Sequence, residues 1–190
     1  MPISKKILDH LDKNKIKYEI LKHKTVYTAY DLANTLKKKL SEIAKTLVVK
    51  ADQSYYLIVV PAHYRLDLGK LKKILQAKKI EIAKENVMAK IFKVKPGAIT
   101  PFGTIHKVGV VIDQALAKTQ KVIMGAGSFT ESLHLKIKDF LKLENPTKAS
   151  IGKKFTSEVI SKPKPKMAKK RKVTVRKSGC GCGASPKKRK

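Results

Sequence analysis

Apolar residues recur at two spacings between residues 5 and 143, one typical of helices and the other of strands. Where they recur every three or four residues, they predict helices that bury one face against a core. Ser4, Thr28 and Asp67 precede three such segments and are suited to cap them. Asp31, three residues after Thr28, gives that helix start a variant of the capping box. Helices are therefore predicted at residues 4–11, 28–36, 67–75, 86–92 and 139–143.

Between these helices, short segments rich in β-branched and aromatic residues predict strands. The strands are predicted at residues 16–21, 46–50, 55–61, 80–83, 108–112, 122–124 and 133–137. Asp52, Gln53 and Ser54 are turn formers between the second and third strands, which indicates a hairpin at the centre of the sheet. Helices and strands alternate along the chain, so the predicted fold class is α/β, with a single domain.

The composition changes near the C-terminal end of the sequence. Apolar periodicity fades past Asn145, and after Ser161 only Lys, Arg, Pro, Gly, Ser and a few small residues remain. Such a composition does not bury enough apolar surface to offset the entropy lost on ordering. We therefore predict a folded domain over residues 1–150 and a disordered Lys/Pro-rich basic tail over residues 151–190.

The formal charge of +30 is spread over both parts of the chain. Residues 161–190 contain 13 of the 44 Lys and Arg residues and no acidic residue, which leaves 31 basic against 14 acidic residues elsewhere. This excess favours polyanions, above all nucleic acid, although Lys-rich solvated surfaces alone also account for part of it. The basic runs at residues 169–173 and 186–190 have the form of nuclear-localisation patches, but a generic electrostatic tail is the preferred interpretation.

Several classes of protein are excluded at this stage. No stretch approaches the roughly 20 apolar residues of a membrane-spanning helix, and the N-terminal residues lack the pattern of a secretory signal. We therefore expect a cytoplasmic protein with no membrane partner. The two cysteines, Cys180 and Cys182, supply only two of the four ligands of a structural zinc site. We expect no metal and no cofactor.

The catalytic motifs of common hydrolases and dinucleotide-binding proteins are missing. The five His residues show no metal-ligand spacing, and Thr130 stands where a dinucleotide-binding loop beginning at Gly125 needs its third glycine. The most unusual local feature is the loop at residues 96–103, which has two prolines and two glycines among small residues. It is interpreted either as an ordinary tight loop or as one in which Gly97 turns backbone N–H groups toward a developing oxyanion.

Six short motifs follow one another along the predicted domain: Tyr27-Thr28-Ala29, Ala44-Lys45-Thr46-Leu47-Val48-Val49-Lys50, Val60-Pro61-Ala62, Leu66-Asp67-Leu68, Lys95-Pro96-Gly97-Ala98-Ile99-Thr100-Pro101-Phe102-Gly103 and Ala126-Gly127-Ser128. In this order they resemble the YbaK/ProX family, which includes the editing domain inserted in bacterial prolyl-tRNA synthetases. The resemblance spans residues 5–143. It implies a strongly curved mixed β-sheet surrounded by helices, and a freestanding aminoacyl-tRNA deacylase that hydrolyses the ester of mischarged tRNA.

The resemblance also implies roles for particular residues. The functional lysine of the family matches Lys45, which as a compact cation is suited to a terminal phosphate or the adenosine of tRNA. The Gly-x-x-x-Pro loop of the family matches residues 97–101. Water is then expected to attack the ester carbonyl while backbone amides of this loop stabilise the oxyanion. The implied catalytic set is Lys45, Gly97, Ala98, Ile99, Thr100 and Pro101.

A second set of residues is expected to bind the substrate: His23, Tyr27, Thr28, Gly127 and Ser128. His23 and Ser128 are equally well interpreted as a histidine satisfied within the core and a serine of a turn. The implied partners are mischarged tRNA and an aminoacyl-tRNA synthetase.

Two other functions fit parts of the sequence. A non-catalytic RNA- or ribosome-binding protein would keep the fold but would not need both Lys45 and the loop at residues 97–101. A DNA-compacting protein would explain the tail and leave the domain unexplained. The sequence does not name the amino acid removed, because related pockets discriminate by shape worth only a few kcal/mol.

Overall fold

A long hairpin lies at the centre of the molecule, which the computed structural model describes over residues 3–92 and 97–154. Strands β2 (Ala44–Ala51) and β3 (Ser54–Pro61) pair antiparallel over their whole lengths. Asp52 takes the left-handed conformation in the turn (φ 51°), and its carboxylate accepts hydrogen bonds from the amides of Lys78 and Lys79. The predicted hairpin is confirmed.

This hairpin forms the middle of a five-stranded sheet of order β5-β2-β3-β6-β9. The other strands are β5 (Ile80–Ile82), β6 (Gly109–Asp113) and β9 (Thr147–Ala149). Strand β6 runs parallel to both β3 and β9, whereas β2 pairs antiparallel with β3 and β5. The sheet is therefore mixed, and the predicted α/β class is confirmed.

The remaining strands form two smaller antiparallel sheets. Strands β1 (Tyr18–Lys22), β7 (Lys121–Gly125) and β8 (Glu131–Lys136) make one, and an isolated bridge between Ile43 and Ile123 joins it to the start of β2. Strands β4 (Tyr64–Leu66) and β10 (Gly152–Lys154) make the other. Alternating hydrophobicity does not reveal this division, because it records the buried face of a strand and not its pairing partner.

Seven α-helices occur in the described part of the chain: α1 (Lys5–Lys13), α2 (Ala29–Leu36), α3 (Leu68–Ile74), α4 (Glu85–Val87), α5 (Gly103–His106), α6 (Gln114–Ala117) and α7 (Ile137–Glu144). A 3-10 turn at Leu40–Glu42 and a π-helical turn at Met88–Phe92 complete the helical elements there. No helix of these residues is both long and apolar enough to cross a membrane. The short helices α5 and α6 were not predicted, because four residues are too few to show a helical period.

The predicted helix caps differ in their outcome. The Thr28 hydroxyl accepts a hydrogen bond from the Asp31 amide at 3.1 Å, as predicted. The Asp67 carboxylate accepts hydrogen bonds from the amides of Gly69 and Lys70, also as predicted. Ser4 is the N-cap residue directly before α1, but its side chain makes no capping hydrogen bond. The prediction of a Ser4 side-chain cap is therefore wrong.

Both faces of the central sheet are covered, and β3 shows this most directly. Its residues from Leu57 to Pro61 are all buried, without alternation. Leu57 and Val59 belong to one cluster with Phe102 and Phe140, whereas Ile58 and Val60 belong to another with Leu71 and Ile151. A continuous buried run is typical of a strand covered on both faces. The hairpin is thereby held rigidly between two layers.

The described fold continues past residue 150, where the sequence predicted that the domain ends. Ile151 is fully buried, and β9 and β10 lie on either side of it. The carboxylate of buried Asp113 accepts from the amides of Ile151 and Gly152 at 3.0 and 2.8 Å, and also from the Ala115 amide at 2.8 Å. The rest of the predicted tail, with Cys180 and Cys182, lies outside the described residues.

Replacing Asp113 tests whether this carboxylate holds the last strands in place. We expect Asp113→Ala to lower the free energy of unfolding by about 2 to 4 kcal/mol, because it leaves three amides without their acceptor in a poorly hydrated site. Urea denaturation measures the change. Asp9→Ala is the matched control, because Asp9 is exposed on α1. Equal stability of the two variants would contradict the role of Asp113.

Candidate active site

A cavity of about 410 Å³ opens at the start of β2. Its wall includes residues from β2, from the first turn of α2, from the loop after residue 97 and from the end of β7. Seven of the predicted site residues line it: His23, Tyr27, Thr28, Lys45, Gly97, Ile99 and Ser128. Four do not: Ala98, Thr100, Pro101 and Gly127. A second cavity of about 270 Å³ beside α5 contains none of the predicted residues.

Lys45 lies at the start of β2, where its side chain is half-buried in the cavity wall. Its Nζ donates to the carbonyl of Tyr64 at 3.4 Å, and no carboxylate of the described residues forms an ion pair with it. Burial lowers the pKa of Lys45, and the nearby positive charge of Arg65 lowers it further. A half-buried cation beside another cation favours an anionic ligand.

The loop of residues 97–101 reaches the cavity at Gly97 and Ile99. Gly97 has φ 86°, and a Cβ there would lie 3.1 Å from the Tyr27 carbonyl oxygen. The next three residues, Ala98, Ile99 and Thr100, are buried. Their amides donate to no backbone carbonyl of residues 3–92 or 97–154. Lys95 and Pro96, which begin the predicted motif, lie outside the described residues.

The segment from Gly125 to Ser128 packs against this loop. A Cβ on Gly125 would lie 3.0 Å from the Ile99 carbonyl oxygen. Gly127 has φ 78°, and a Cβ there would contact the Thr100 methyl group at 3.6 Å. The Ser128 hydroxyl accepts from the Thr130 amide at 3.1 Å, as in the turn-serine interpretation. Gly127 therefore supports the loop from outside the cavity, while Ser128 lies in the wall.

His23 lies in the cavity wall with both ring nitrogens in hydrogen bonds. Nδ1 lies 2.8 Å from the Lys24 carbonyl oxygen, and Nε2 lies 2.9 Å from the Ser132 hydroxyl. Because a carbonyl only accepts, Nδ1 carries a proton. This is the geometry of a satisfied histidine, and it holds the ring in a fixed orientation at the cavity.

Tyr27 and Thr28 lie at the entrance, before α2. Tyr27 is 68% exposed, and its ring lies against that of Phe129, with centroids 5.1 Å apart. Thr28 caps α2, and its hydroxyl also donates to the Asp31 carboxylate at 2.7 Å. Tyr27 is thus available to a ligand at the entrance, whereas the Thr28 hydroxyl is engaged in the helix cap.

The sequence did not identify most of the apolar wall. The additional apolar lining residues are Val26, Ala29, Leu32, Ala44, Leu47, Val48 and Met88. Their periodicity is the same whether they pack in a core or line a cavity, so the sequence contains no signal that separates the two. The wall fits a small, largely apolar group next to Lys45 and the loop amides.

The described residues provide no metal centre. No group of three or more His, Cys, Asp or Glu among them is placed to hold a metal ion. The described lining of the cavity combines one cation, Lys45, with mostly apolar residues.

A family model described as the aminoacyl-tRNA editing domain matches residues 23–143. The prolyl-tRNA editing protein ProX of Acetoanaerobium sticklandii is 26% identical over 149 residues, which cover 75% of this chain and 91% of that protein. A proline–tRNA ligase of Macrococcus caseolyticus is 29% identical over 101 residues, or 53% of this chain. The chain spans only 18% of the length of that ligase.

Solved structures show the same fold. A structure described as a hypothetical protein superposes with a TM-score of 0.74 at 21% identity, covering 78% of this chain and all of that one. A structure described as a candidate trans-editing enzyme for prolyl tRNA synthetase gives a TM-score of 0.70 at 19% identity, covering 80% and 99% of the two chains. These likenesses agree with the resemblance to YbaK/ProX. Since the family model matches more than half of the sequence, the chain belongs to the aminoacyl-tRNA editing domain family.

Proposed function

We propose that this protein is a freestanding aminoacyl-tRNA deacylase, which hydrolyses the ester of mischarged tRNA. The observation that supports this most strongly is that Lys45 lines one cavity together with Gly97 and Ile99 of the loop of residues 97–101. Among the described residues, Lys45 has no carboxylate partner in an ion pair, and the amides of residues 98–100 donate to no backbone carbonyl. An acyl-transfer site needs donors of this kind for the charge that develops on the carbonyl oxygen.

In this proposal Lys45 positions the substrate and the loop stabilises the transition state. The Lys45 ammonium binds a phosphate or the terminal adenosine at the 3′ end of tRNA. Amides of Ala98, Ile99 and Thr100 supply donors to the oxyanion that forms when water attacks the ester carbonyl. The C–O bond to the ribose then breaks, and the ribose oxygen takes up the proton that the water loses. The products are the free amino acid and a tRNA with a 3′ hydroxyl group.

The relatives guide the choice of substrate. The chain matches 91% of the length of a protein described as a prolyl-tRNA editing protein, which supports an editing activity on tRNA for proline. We propose tRNA for proline, charged with the wrong amino acid, as the first substrate to test, and a prolyl-tRNA synthetase as a partner.

The test is to incubate the protein with a panel of mischarged tRNAs and measure the amino acid released. Release from none of them would favour a non-catalytic RNA-binding protein.

Lys45→Ala tests the positioning role. We expect kcat/KM for the preferred mischarged tRNA to fall about 10- to 100-fold, the loss typical of a hydrogen bond to a charged group. Single-turnover deacylation measures it, and thermal unfolding checks that the fold is kept. Lys50→Ala is the matched control, because Lys50 lies on the same strand, changes the net charge equally and does not line the cavity. Equal loss in both variants would contradict the role of Lys45.

Gly97→Val tests the loop. A β-branched residue is strained at φ 86°, and its Cβ would lie 3.1 Å from the Tyr27 carbonyl oxygen, so the loop and its amides must move. We expect kcat to fall about 100-fold, as when an oxyanion donor is removed. Gly69→Ala on α3 serves as a control for replacing a glycine away from the cavity. If Gly97→Val keeps the wild-type kcat, the loop is only a connection.

The basic tail lies outside the described residues, and the proposal for it is electrostatic. With 13 basic and no acidic residues and no aromatic side chain, residues 161–190 add affinity through phosphates rather than through base readout. We expect truncation after Ser161 to weaken the binding of cognate and non-cognate tRNA equally and to flatten the dependence of log K on log salt. The value of kcat should stay unchanged, because such binding is uniform.

Filter binding at several salt concentrations measures the effect of the truncation. A full-length variant in which residues 162–190 are scrambled is the matched control and should bind like the native sequence. Loss of binding to only one tRNA, or an unchanged salt slope after truncation, would contradict an electrostatic role.

A further inference from the structure

Strand β2 has one edge that is only partly covered. It pairs with β3 from Ala44 to Ala51, but with β5 only from Val49 to Ala51. Just beyond β5, the amide of Ala83 donates to the Val48 carbonyl. Before Val48, no strand of the described residues pairs along this edge except at the Ile43–Ile123 bridge. The open part of the edge therefore lies around Thr46.

The hydrogen-bond pattern shows which backbone groups point to this edge. In an antiparallel pair, every second residue forms both of its backbone hydrogen bonds with the partner strand. The N–H and C=O groups of the residues between them point away from that strand. Ala62 N–H donates to the Ile43 carbonyl on the β3 side, whereas the Val48 carbonyl and the Asp52 amide are bonded on the β5 side. By this alternation the N–H and C=O of Thr46 point away from β3. Residues 3–92 and 97–154 supply no backbone partner for either group.

The cavity lies at this open edge. Successive side chains of a strand point to opposite faces, so a cavity on one face would contact only every second residue. Yet Ala44, Lys45, Thr46, Leu47 and Val48 all line the cavity. Contact with consecutive residues is explained if the cavity borders the strand from the side. Gly97, Ile99 and Gly125 line the same cavity.

We propose that the Thr46 main chain binds the aminoacyl group of the substrate as a neighbouring strand would. The Thr46 carbonyl accepts from the α-ammonium group, and the Thr46 N–H donates to the ester carbonyl oxygen. An amino acid ester in the extended conformation presents this donor and acceptor on one side, as a residue in an antiparallel ladder does. The inference rests on the proposed function, because it assigns a part of the same substrate.

This binding mode adds to what the loop supplies. A carbonyl oxygen accepts two hydrogen bonds, so the Thr46 N–H and one amide of the loop at residues 98–100 can serve the same oxyanion. The hydrogen bond from an ammonium group is charge-assisted and is stronger than one from a neutral donor. Backbone recognition of this kind is shared by all amino acids, so discrimination between them is left to the apolar wall.

The first test uses the free protein and NMR-detected amide hydrogen exchange. The Thr46 amide should exchange at least about 10-fold faster than that of Leu47, which by the same alternation is bonded to β3. Slow exchange of Thr46 equal to that of Leu47 would overturn the inference, because the edge would then be covered.

The second test uses two stable substrate analogues. The first probe is 3′-amino-3′-deoxyadenosine with alanine attached to the 3′ nitrogen through an amide bond. The second probe has lactic acid in place of alanine, so that a hydroxyl group replaces the ammonium group. We expect the alanyl compound to shift the Thr46 amide resonance and slow its exchange, and the lactyl compound to bind about 10-fold more weakly. Equal dissociation constants, or no binding of either compound, would overturn the inference.

The variant Thr46→Pro removes the N–H from the open edge without removing a bond to β3. We expect at least about a 10-fold weaker binding of the alanyl probe. The analogue pair keeps the inference testable if this variant does not fold. Alanyl-specific binding at Thr46 without release of any amino acid from tRNA would contradict the proposed function alone. Deacylation with equal binding of the two analogues would contradict only the inference at Thr46.

Discussion

The ladder between β2 and β3 is the interaction on which the rest of the site depends. It holds β2 along one edge and leaves the other edge open over the residues that border the cavity. Because the ladder fixes the alternation of the backbone, it also fixes where Lys45 projects and which way the Thr46 backbone points. A shift of one residue in this register would turn the Lys45 side chain to the opposite face of the sheet. It would also turn the Thr46 backbone groups toward β3. The register of one hairpin therefore determines the chemistry available at the cavity.

The packing of the sheet keeps that register in place. Strand β3 is buried on both faces by two separate clusters, one around Phe102 and Phe140 and the other around Leu71 and Ile151. A shift of β3 by one residue would place different side chains in both clusters at once. Close-packed interiors do not tolerate such a change without strain or cavities. Asp113 ties the last described strands to the same sheet through buried amides. The cavity is thus formed against a rigid wall.

The loops beside the cavity have a conformation that depends on glycine. Gly97 and Gly127 both have positive φ, and the segments that contain them lie in contact. The loop after Gly97 buries three residues whose amides have no backbone partner in the described part of the chain. Unsatisfied buried amides cost free energy, and such groups are found where a ligand completes the hydrogen bonds. A paired strand and a glycine-dependent loop that line the same cavity are a suitable arrangement for placing a small ester group.

Much of the local structure of this protein follows from the sequence alone. It gave the hairpin at Asp52, the caps at Thr28 and Asp67, and the α/β class, because turn chemistry and hydrophobic period act between near neighbours. Its motifs also indicated the family, and with it Lys45 as a candidate. The pairing of the other strands, the cover on both faces of the sheet and the open edge at Thr46 beside a cavity came from the tertiary structure. These features depend on contacts between residues far apart in the chain, and the periodicity of a segment contains no information about its distant partner.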